Sequence, residues 1–197
     1  MTPRSRYRPL ARDFFARSTE SVARDLLGAF LVVEDGGQRR VGRIVETEAY
    51  DGFDDRASHA SKGPTKRNQV MFGPAGHSYV YLIYGMYNCL NVVTAEPDYP
   101  AAVLIRAVEP VEGTQGETNG PGRLTRGMGI DRRYNLLDAT APPLYYSAGT
   151  GPAPQIIATP RIGVDYAGEW AEAKRRFIDV NSEFVSRPPI KRSRKKK

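Results

Sequence analysis

The stretch RIVETEAY, residues 43–50, carries two glutamates, Glu46 and Glu48, two positions apart. On a strand that spacing puts both carboxylates on one face. There they can serve as a metal-binding pair, or as a general base with a structural neighbour. Further along, Arg106 in AAVLIRAVEP alternates with Ala102, Leu104 and Val108. A guanidinium on an apolar strand face needs an anionic partner, and a glutamate near the end of another strand would supply one. Asn91, in step with Cys89 and Val93, makes the same demand as a polar group facing a core. For both residues the plainer alternative is a satisfied, buried hydrogen-bond network.

Aromatic residues crowd the same region. YVYLIYGMYNCLN, residues 79–91, places Tyr79, Tyr81, Tyr84 and Tyr87, four of the eleven tyrosines, within nine residues. Such a run reads as strand, yet each hydroxyl must find water or a partner. Either the strand has one wet face or it offers a surface on which flat ligands stack. His59, one of two histidines, lies in a polar loop with no nearby acid, a setting that fits a surface or supporting role better than catalysis. Asp51, Asp54 and Asp55 are interleaved with glycine and arginine and read as turn residues facing solvent.

These residues need elements to hold them. Ser18 or Thr19 can cap a short helix with Val22, Leu26 and Leu27 on one face and Gly28 at its end. AFLVVE, the Gly36-Gly37 turn and RRVGRIVETEAY read as a hairpin, with Val41, Arg43, Val45 and Thr47 on one face and Ile44, Glu46 and Glu48 on the other. Residues 51–70 form a long polar loop, of a kind that is often functional in a compact domain. Strands are expected near 78–84, 89–94 and 102–108, the first two joined by a turn at Gly85 and Met86. GPGRLTRGMGI predicts a helix with Pro121 in its first turn. In the C-terminal third, PLYYS, QIIATP and IDV predict short strands and AGEWAEAKRRF a helix. Strands that follow one another through hairpins indicate one α+β domain, residues 1–190, with a curved, mainly antiparallel sheet, flanking helices and a protruding hairpin.

Composition narrows the class. A chain of 197 residues is long enough for one core. It has no apolar run of membrane-spanning length and no apolar N-terminal leader, so a soluble, cytoplasmic protein is expected. One cysteine, Cys89, excludes a disulfide framework and reads as a small core residue; with two histidines it makes a Cys/His metal site implausible. No G-x-G-x-x-G or P-loop pattern occurs, so no nucleotide cofactor is expected. The net charge of +7 is carried by the ends. Removing the six positive charges of KRSRKKK, residues 191–197, and those of Arg4, Arg6, Arg8 and Arg12 leaves −3 for the remainder. Basic arms of this kind can contact phosphates without sequence preference.

Taken in order, RIVETEAY, His59, YVYLIYGMYNCLN, LIRAVEP (104–110), GPGRL (120–124) and RIGVDYAGEW (161–170) resemble the alkyladenine DNA glycosylase family, the 3-methyladenine DNA glycosylases of the mammalian type. The likeness runs along essentially the whole chain from the LARDFF and VARDLLG segments onward. It implies hydrolysis of the N-glycosidic bond of damaged purines in double-stranded DNA, with neither metal nor cofactor. The sequence leaves the oligomeric state open, and a monomer is expected. By motif, Glu48 matches the base that activates water and Arg106 the arginine that helps to hold it. Tyr50, His59 and Tyr81 match the residues enclosing the flipped base, and Asn91 the residue that crowds the exocyclic amine of guanine. Tyr84 matches the side chain inserted into the duplex, with Met86 and Tyr87 beside it at the DNA surface.

This resemblance gives the tyrosines a physical role. A stacked nucleotide must be extruded before its glycosidic bond can be reached, and the gap left must be filled. Two ring faces, Tyr81 and Tyr50, would favour a cationic alkylated purine by about 0.5 to 2 kcal/mol. The chain departs from the family between VEPVEG and GPGRL, where only TQGETN stands and relatives carry a longer basic segment. The rival readings are a non-catalytic platform that stacks single strands, and a metal-dependent nuclease.

Overall fold

In the computed structural model, which describes residues 6–187, the chain opens with two short helices, α1 (Arg12–Phe15) and α2 (Thr19–Asp25). The basic segment 191–197 lies outside the described residues. Ser18 occupies the N-cap position of α2, but its hydroxyl donates to Ser21 Oγ instead of accepting from the backbone. The Thr19 hydroxyl likewise turns away, donating to Asp51 at 2.9 Å. Gly28, at φ +85°, closes the turn that follows.

The expected hairpin is formed by β1 (Phe30–Asp35) and β2 (Gln38–Asp51). Gly36 and Gly37 make its turn at φ +57° and +76°, a pair of values that L side chains resist. Next come β3 (Ser78–Ile83), β4 (Tyr87–Val93) and β5 (Ala101–Glu112), then α3 (Pro121–Gly127) with Pro121 in its first turn. Four short strands complete the chain: β6 (Thr140–Ala141), β7 (Leu144–Ser147), β8 (Ile156–Thr159) and β9 (Arg176–Asp179). They assemble into one sheet in the order β3-β4-β5-β2-β1-β7-β6, with β9 pairing both β2 and β8, and every pairing is antiparallel. This is the α+β single domain expected, its curved sheet accompanied by few helices.

One segment differs from expectation. AGEWAEAKRRF does not form one helix: Asp165–Ala171 is a 3₁₀ segment interrupted at Gly168 (φ 62°, ψ −130°), and Arg176 and Phe177 belong to β9. The helical pattern yields because β9 supplies β2 with an edge partner and delivers Arg176 to a buried carboxylate.

Strand β2 organises the rest. One of its edges meets β5 over residues 41–51, while the other pairs with β1 over residues 38–43 and with β9 over 46–48. Where the partner changes, its register with β5 shifts twice, between Ile44 and Glu46 and between Glu46 and Thr47. These bulges break the alternation read from the sequence. Ile44 joins Val103, Ile105 and Val108 in the principal core, under α2 and α3, although it was expected beside Glu46 and Glu48; Val108 was expected to share the face of Arg106. That core also takes in Val22, Leu26, Leu124 and Met128, each wholly buried and each contributing about 1.5–3 kcal/mol by leaving water. Thr47 points the same way, donating to the Ala23 carbonyl of α2 at 2.8 Å. Glu46 and Glu48 are left for the other side of the sheet.

Candidate active site

Both glutamates are fully buried, and Arg106 lies between them. Its Nε donates to Glu46 Oε1 at 2.8 Å and its Nη1 stands 3.4 Å from Glu48 Oε2. The sequence expectation that one strand's arginine would meet another strand's glutamate therefore holds for both acids.

Their surroundings separate them. Glu46 also accepts from Arg176 Nε at 2.7 Å, the Ser186 backbone N–H at 2.6 Å and the Ser186 hydroxyl at 2.8 Å. Burial alone would raise its proton affinity, but Arg106, Arg176 and the Ser186 N–H outweigh it and hold the carboxyl below its ordinary value. Glu48 accepts from the Tyr50 hydroxyl at 2.8 Å and from the Ile162 backbone N–H at 2.8 Å, with Arg106 the one cation within ion-pair distance among the described residues. A carboxylate offers about four acceptor positions, about two on each oxygen. Glu46 receives four donors, three of them crowded on Oε1, whereas Glu48 receives three and keeps a position on its own Oε1 uncommitted.

Above these acids lies a partly open cavity of about 130 Å³. Its size is comparable with the ~150 Å³ engineered cavity that admits benzene. Tyr50, His59, Tyr81, Asn91 and Arg106 all line it, so the residues singled out for a base pocket converge there from β2, the 51–70 loop, β3, β4 and β5. Glu48 sits behind Tyr50, Ile162 and Arg106, three of the lining residues.

Each wall is held by a specific contact. The Asn91 side chain donates to the Tyr79 carbonyl at 3.0 Å, and the ring of His59 meets the Tyr79 hydroxyl at 3.2 Å. Tyr81 packs against His59 with ring centroids 4.7 Å apart. Burial, reinforced by the positive charge of Arg67, keeps the His59 imidazole below its ordinary proton affinity. Burial and the neighbouring Glu48 raise Tyr50, which remains a hydrogen-bond donor. Each flanking ring also carries a guanidinium: Arg161 lies 4.8 Å from the Tyr50 centroid and Arg67 4.8 Å from that of Tyr81.

Tyr84, Met86 and Tyr87 stand apart from the cavity, at the β3–β4 turn. Tyr84 is 84% exposed and Met86 67%. Tyr84 and Gly85 have φ +53° and +69°, the consecutive positive values a type I′ turn needs. Ile83, next to Tyr84, lines the cavity, so the turn adjoins its rim. Tyr87 packs on Gly122 of α3, where an added Cβ would come within 2.7 Å of the Tyr87 ring.

Several residues of the site escaped the sequence reading. Asp55, expected to face solvent, is fully buried and takes two bonds from Arg161, at 2.5 and 2.8 Å, with Arg175 3.4 Å away. A turn acid can be drawn inside when a distant arginine completes it, and nothing near Asp55 in the chain announces that partner. Asp54 is exposed, as expected. Cys89 is buried as expected but lines the cavity, and burial pushes its thiol up to about 11. Ile162 contributes through its backbone, which leaves no side-chain signal beyond its place in RIGVDYAGEW. Among the described residues no three His, Cys, Asp or Glu side chains gather in a way that could hold a metal ion. No helix among them is long and apolar enough to cross a membrane.

Comparison with known proteins matches residues 13–183 to the family model for methylpurine-DNA glycosylase. A protein of Anaeromyxobacter sp. (strain Fw109-5) is 55% identical over 181 residues, covering 91% of this chain and 93% of its own length. One from Myxococcus xanthus (strain DK1622) is 55% identical, covering 91% and 94%, and one from Legionella pneumophila (strain Lens) 51%, covering 91% and 99%. All three bear the name "Putative 3-methyladenine DNA glycosylase".

Proposed function

The chain belongs to the methylpurine-DNA glycosylase family, and from that premise we propose that it is a monofunctional hydrolase that extrudes an alkylated or deaminated purine from duplex DNA and releases it as the free base. The substrates of this reading are 3-methyladenine, 7-methylguanine, hypoxanthine and ethenoadenine, and the product is an abasic site. The observation that carries it is the contrast between two buried glutamates bridged by one arginine. Glu46 is held by four donors, two of them arginine Nε–H groups, while Glu48 takes fewer and retains an acceptor position beside a cavity walled by aromatic rings.

The chemistry follows from that contrast. Tyr84 enters the duplex at the turn tip and holds open the space the nucleotide leaves, while the base stacks between Tyr81 and Tyr50. Arg106 and Glu48 hold a water, and Glu48 takes its proton as the oxygen bonds to the sugar C1′. The electron pair of the glycosidic bond departs with the purine. A cationic purine leaves neutral, whereas hypoxanthine must also gain a proton, which solvent supplies. The negative charge of Glu48 stabilises the oxocarbenium-like sugar. Asn91, its amide pinned to the Tyr79 carbonyl, crowds the amine of guanine. Among the described residues no lysine lines the cavity, which favours water over an amine nucleophile. The enzyme acts as a monomer without metal, in the compartment that holds the DNA.

A single-turnover assay in EDTA on duplexes containing hypoxanthine or ethenoadenine tests this, comparing wild type with Glu48→Gln. Wild type alone should release the base, both should bind the duplex, and borohydride should trap no adduct. Binding by both without release from these or methylated purines would refute catalysis and favour a stacking platform.

A further inference from the structure

Arg67 has no part in the chemistry above. It is exposed on the 51–70 loop and is absent from the cavity lining, yet its guanidinium lies over the ring of Tyr81 and donates to the Leu82 carbonyl at 3.3 Å. The loop that presents it is braced. Asn68, next in sequence and buried, donates to the carbonyls of His59 and Gly63 and accepts from the Thr65 N–H. Arg67 is thus held behind one wall of the cavity by its own bond to β3 and by its neighbour's bonds across the loop.

The second wall offers a comparison. Arg161 lies at the same distance from Tyr50, but two bonds to the buried Asp55 match its charge. Arg67 has no carboxylate within ion-pair distance among the described residues, and Arg106 is balanced by Glu46 and Glu48. Of the three guanidiniums set against the cavity walls, Arg67 is therefore the one without a paired carboxylate among the described residues. Its reach is visible at His59, where, after burial, it is the second influence lowering the proton affinity of the imidazole.

We propose that Arg67 is a specificity-determining residue, which lowers the pocket's preference for cationic, alkylated purines and so keeps neutral lesions competitive. The proposal rests on the glycosylase reading of the same cavity. An aromatic face by itself favours a cation by about two- to thirtyfold. Arg67 opposes this because its charge and that of a base stacked on the other face of Tyr81 are about 8 Å apart, the 4.8 Å to the ring plus a stacking contact of roughly 3.5 Å. At an effective dielectric constant near 20 that repulsion disfavours the cation by about thirtyfold, and screening at physiological salt reduces it to about three- to tenfold. A neutral purine is captured without this repulsion and meets it only as it takes up the proton with which it leaves.

The test is the ratio of single-turnover release rates for 7-methylguanine and hypoxanthine in one duplex sequence, with protein in excess over DNA but below saturation, so that capture of the base counts in the rate. Arg67→Ala should raise the ratio about three- to tenfold and Arg67→Glu further, while Arg67→Lys stays within about twofold of wild type. Raising salt should move the wild-type ratio toward that of Arg67→Ala and leave the latter unchanged. Loss of a phosphate contact, or loosening of Tyr81, would slow both substrates together. A ratio unmoved in Arg67→Ala, with both bases still released, overturns this inference alone. Release of neither base by the wild type overturns the glycosylase reading and the inference with it.

Discussion

Replacing Glu46 with glutamine should destabilise the fold by about 3–5 kcal/mol at neutral pH, the cost of leaving buried guanidiniums without their anion. Four donors converge on this side chain: Arg106 Nε, Arg176 Nε, and the Ser186 N–H and hydroxyl, all between 2.6 and 2.8 Å. Glutamine keeps the shape but turns an amide NH₂ toward donors and removes the charge that two arginines share. With a urea slope of about 2 kcal/mol per M, the unfolding midpoint should fall by about 1.5–2.5 M. The pH dependence tests the cause. Despite burial, the arginines hold the Glu46 carboxyl below its ordinary 4.5, so its ionised form stabilises the fold above that value, and the contribution fades as pH falls through the lowered one. The gap between wild type and Glu46→Gln should therefore stay constant from pH 6 to 8, within the roughly pH 5–8 range where proteins are commonly most stable. It should narrow in acid, because glutamine does not titrate. Urea unfolding of both proteins from about pH 8 down to about pH 3 is the assay. A loss under about 1 kcal/mol, or a gap that does not narrow, would refute the account of Glu46 as the structural acid.

Two further predictions concern the turn and the pocket. Tyr84→Gly should leave stability unchanged or raise it by up to about 1 kcal/mol, since φ +53° is unfavourable for an L side chain. Base release should nevertheless fall about tenfold or more as the wedge is lost. Thermal unfolding beside single-turnover kinetics checks this, and full activity in the variant would remove Tyr84 from the mechanism. Asn91→Ser loses the bond to the Tyr79 carbonyl, at about 0.5–1.5 kcal/mol of stability, and clears space beside the base. Guanine release relative to hypoxanthine should rise about tenfold or more, and unchanged selectivity would show that Asn91 does not exclude guanine.

Local pattern carried the fold wherever one residue type had one outcome. Gly36-Gly37, Pro121 and the tyrosine-rich run marked a turn, a helix start and a hairpin because backbone conformation decided each locally. Prediction failed where a distant partner decided. Ile44 left the face of Glu46 because the sheet changes partners beneath it, and a bulge leaves no mark in the side-chain pattern. Arg176 was read as helix because its own neighbourhood is helical in character, while the carboxylate it serves lies far away in β2.

The two glutamates show the same division at the site. Their spacing established that they share a face, and Arg106 that an anion was needed, but spacing treats Glu46 and Glu48 alike. What separates them arrives from Arg176 and Ser186 on one side and from the Ile162 N–H on the other, all more than a hundred residues further along the chain. Glu46 fixes Arg106 through its Nε, which leaves the opposite end of the guanidinium toward Glu48 and the cavity. The bulges permit this arrangement: with the register unbroken, Ile44 would share the cavity side with the acids and Val108 would share that of Arg106. The break in pattern that the sequence hides is thus the feature that lets one strand serve the core with Ile44 and Thr47 and the site with Glu46 and Glu48.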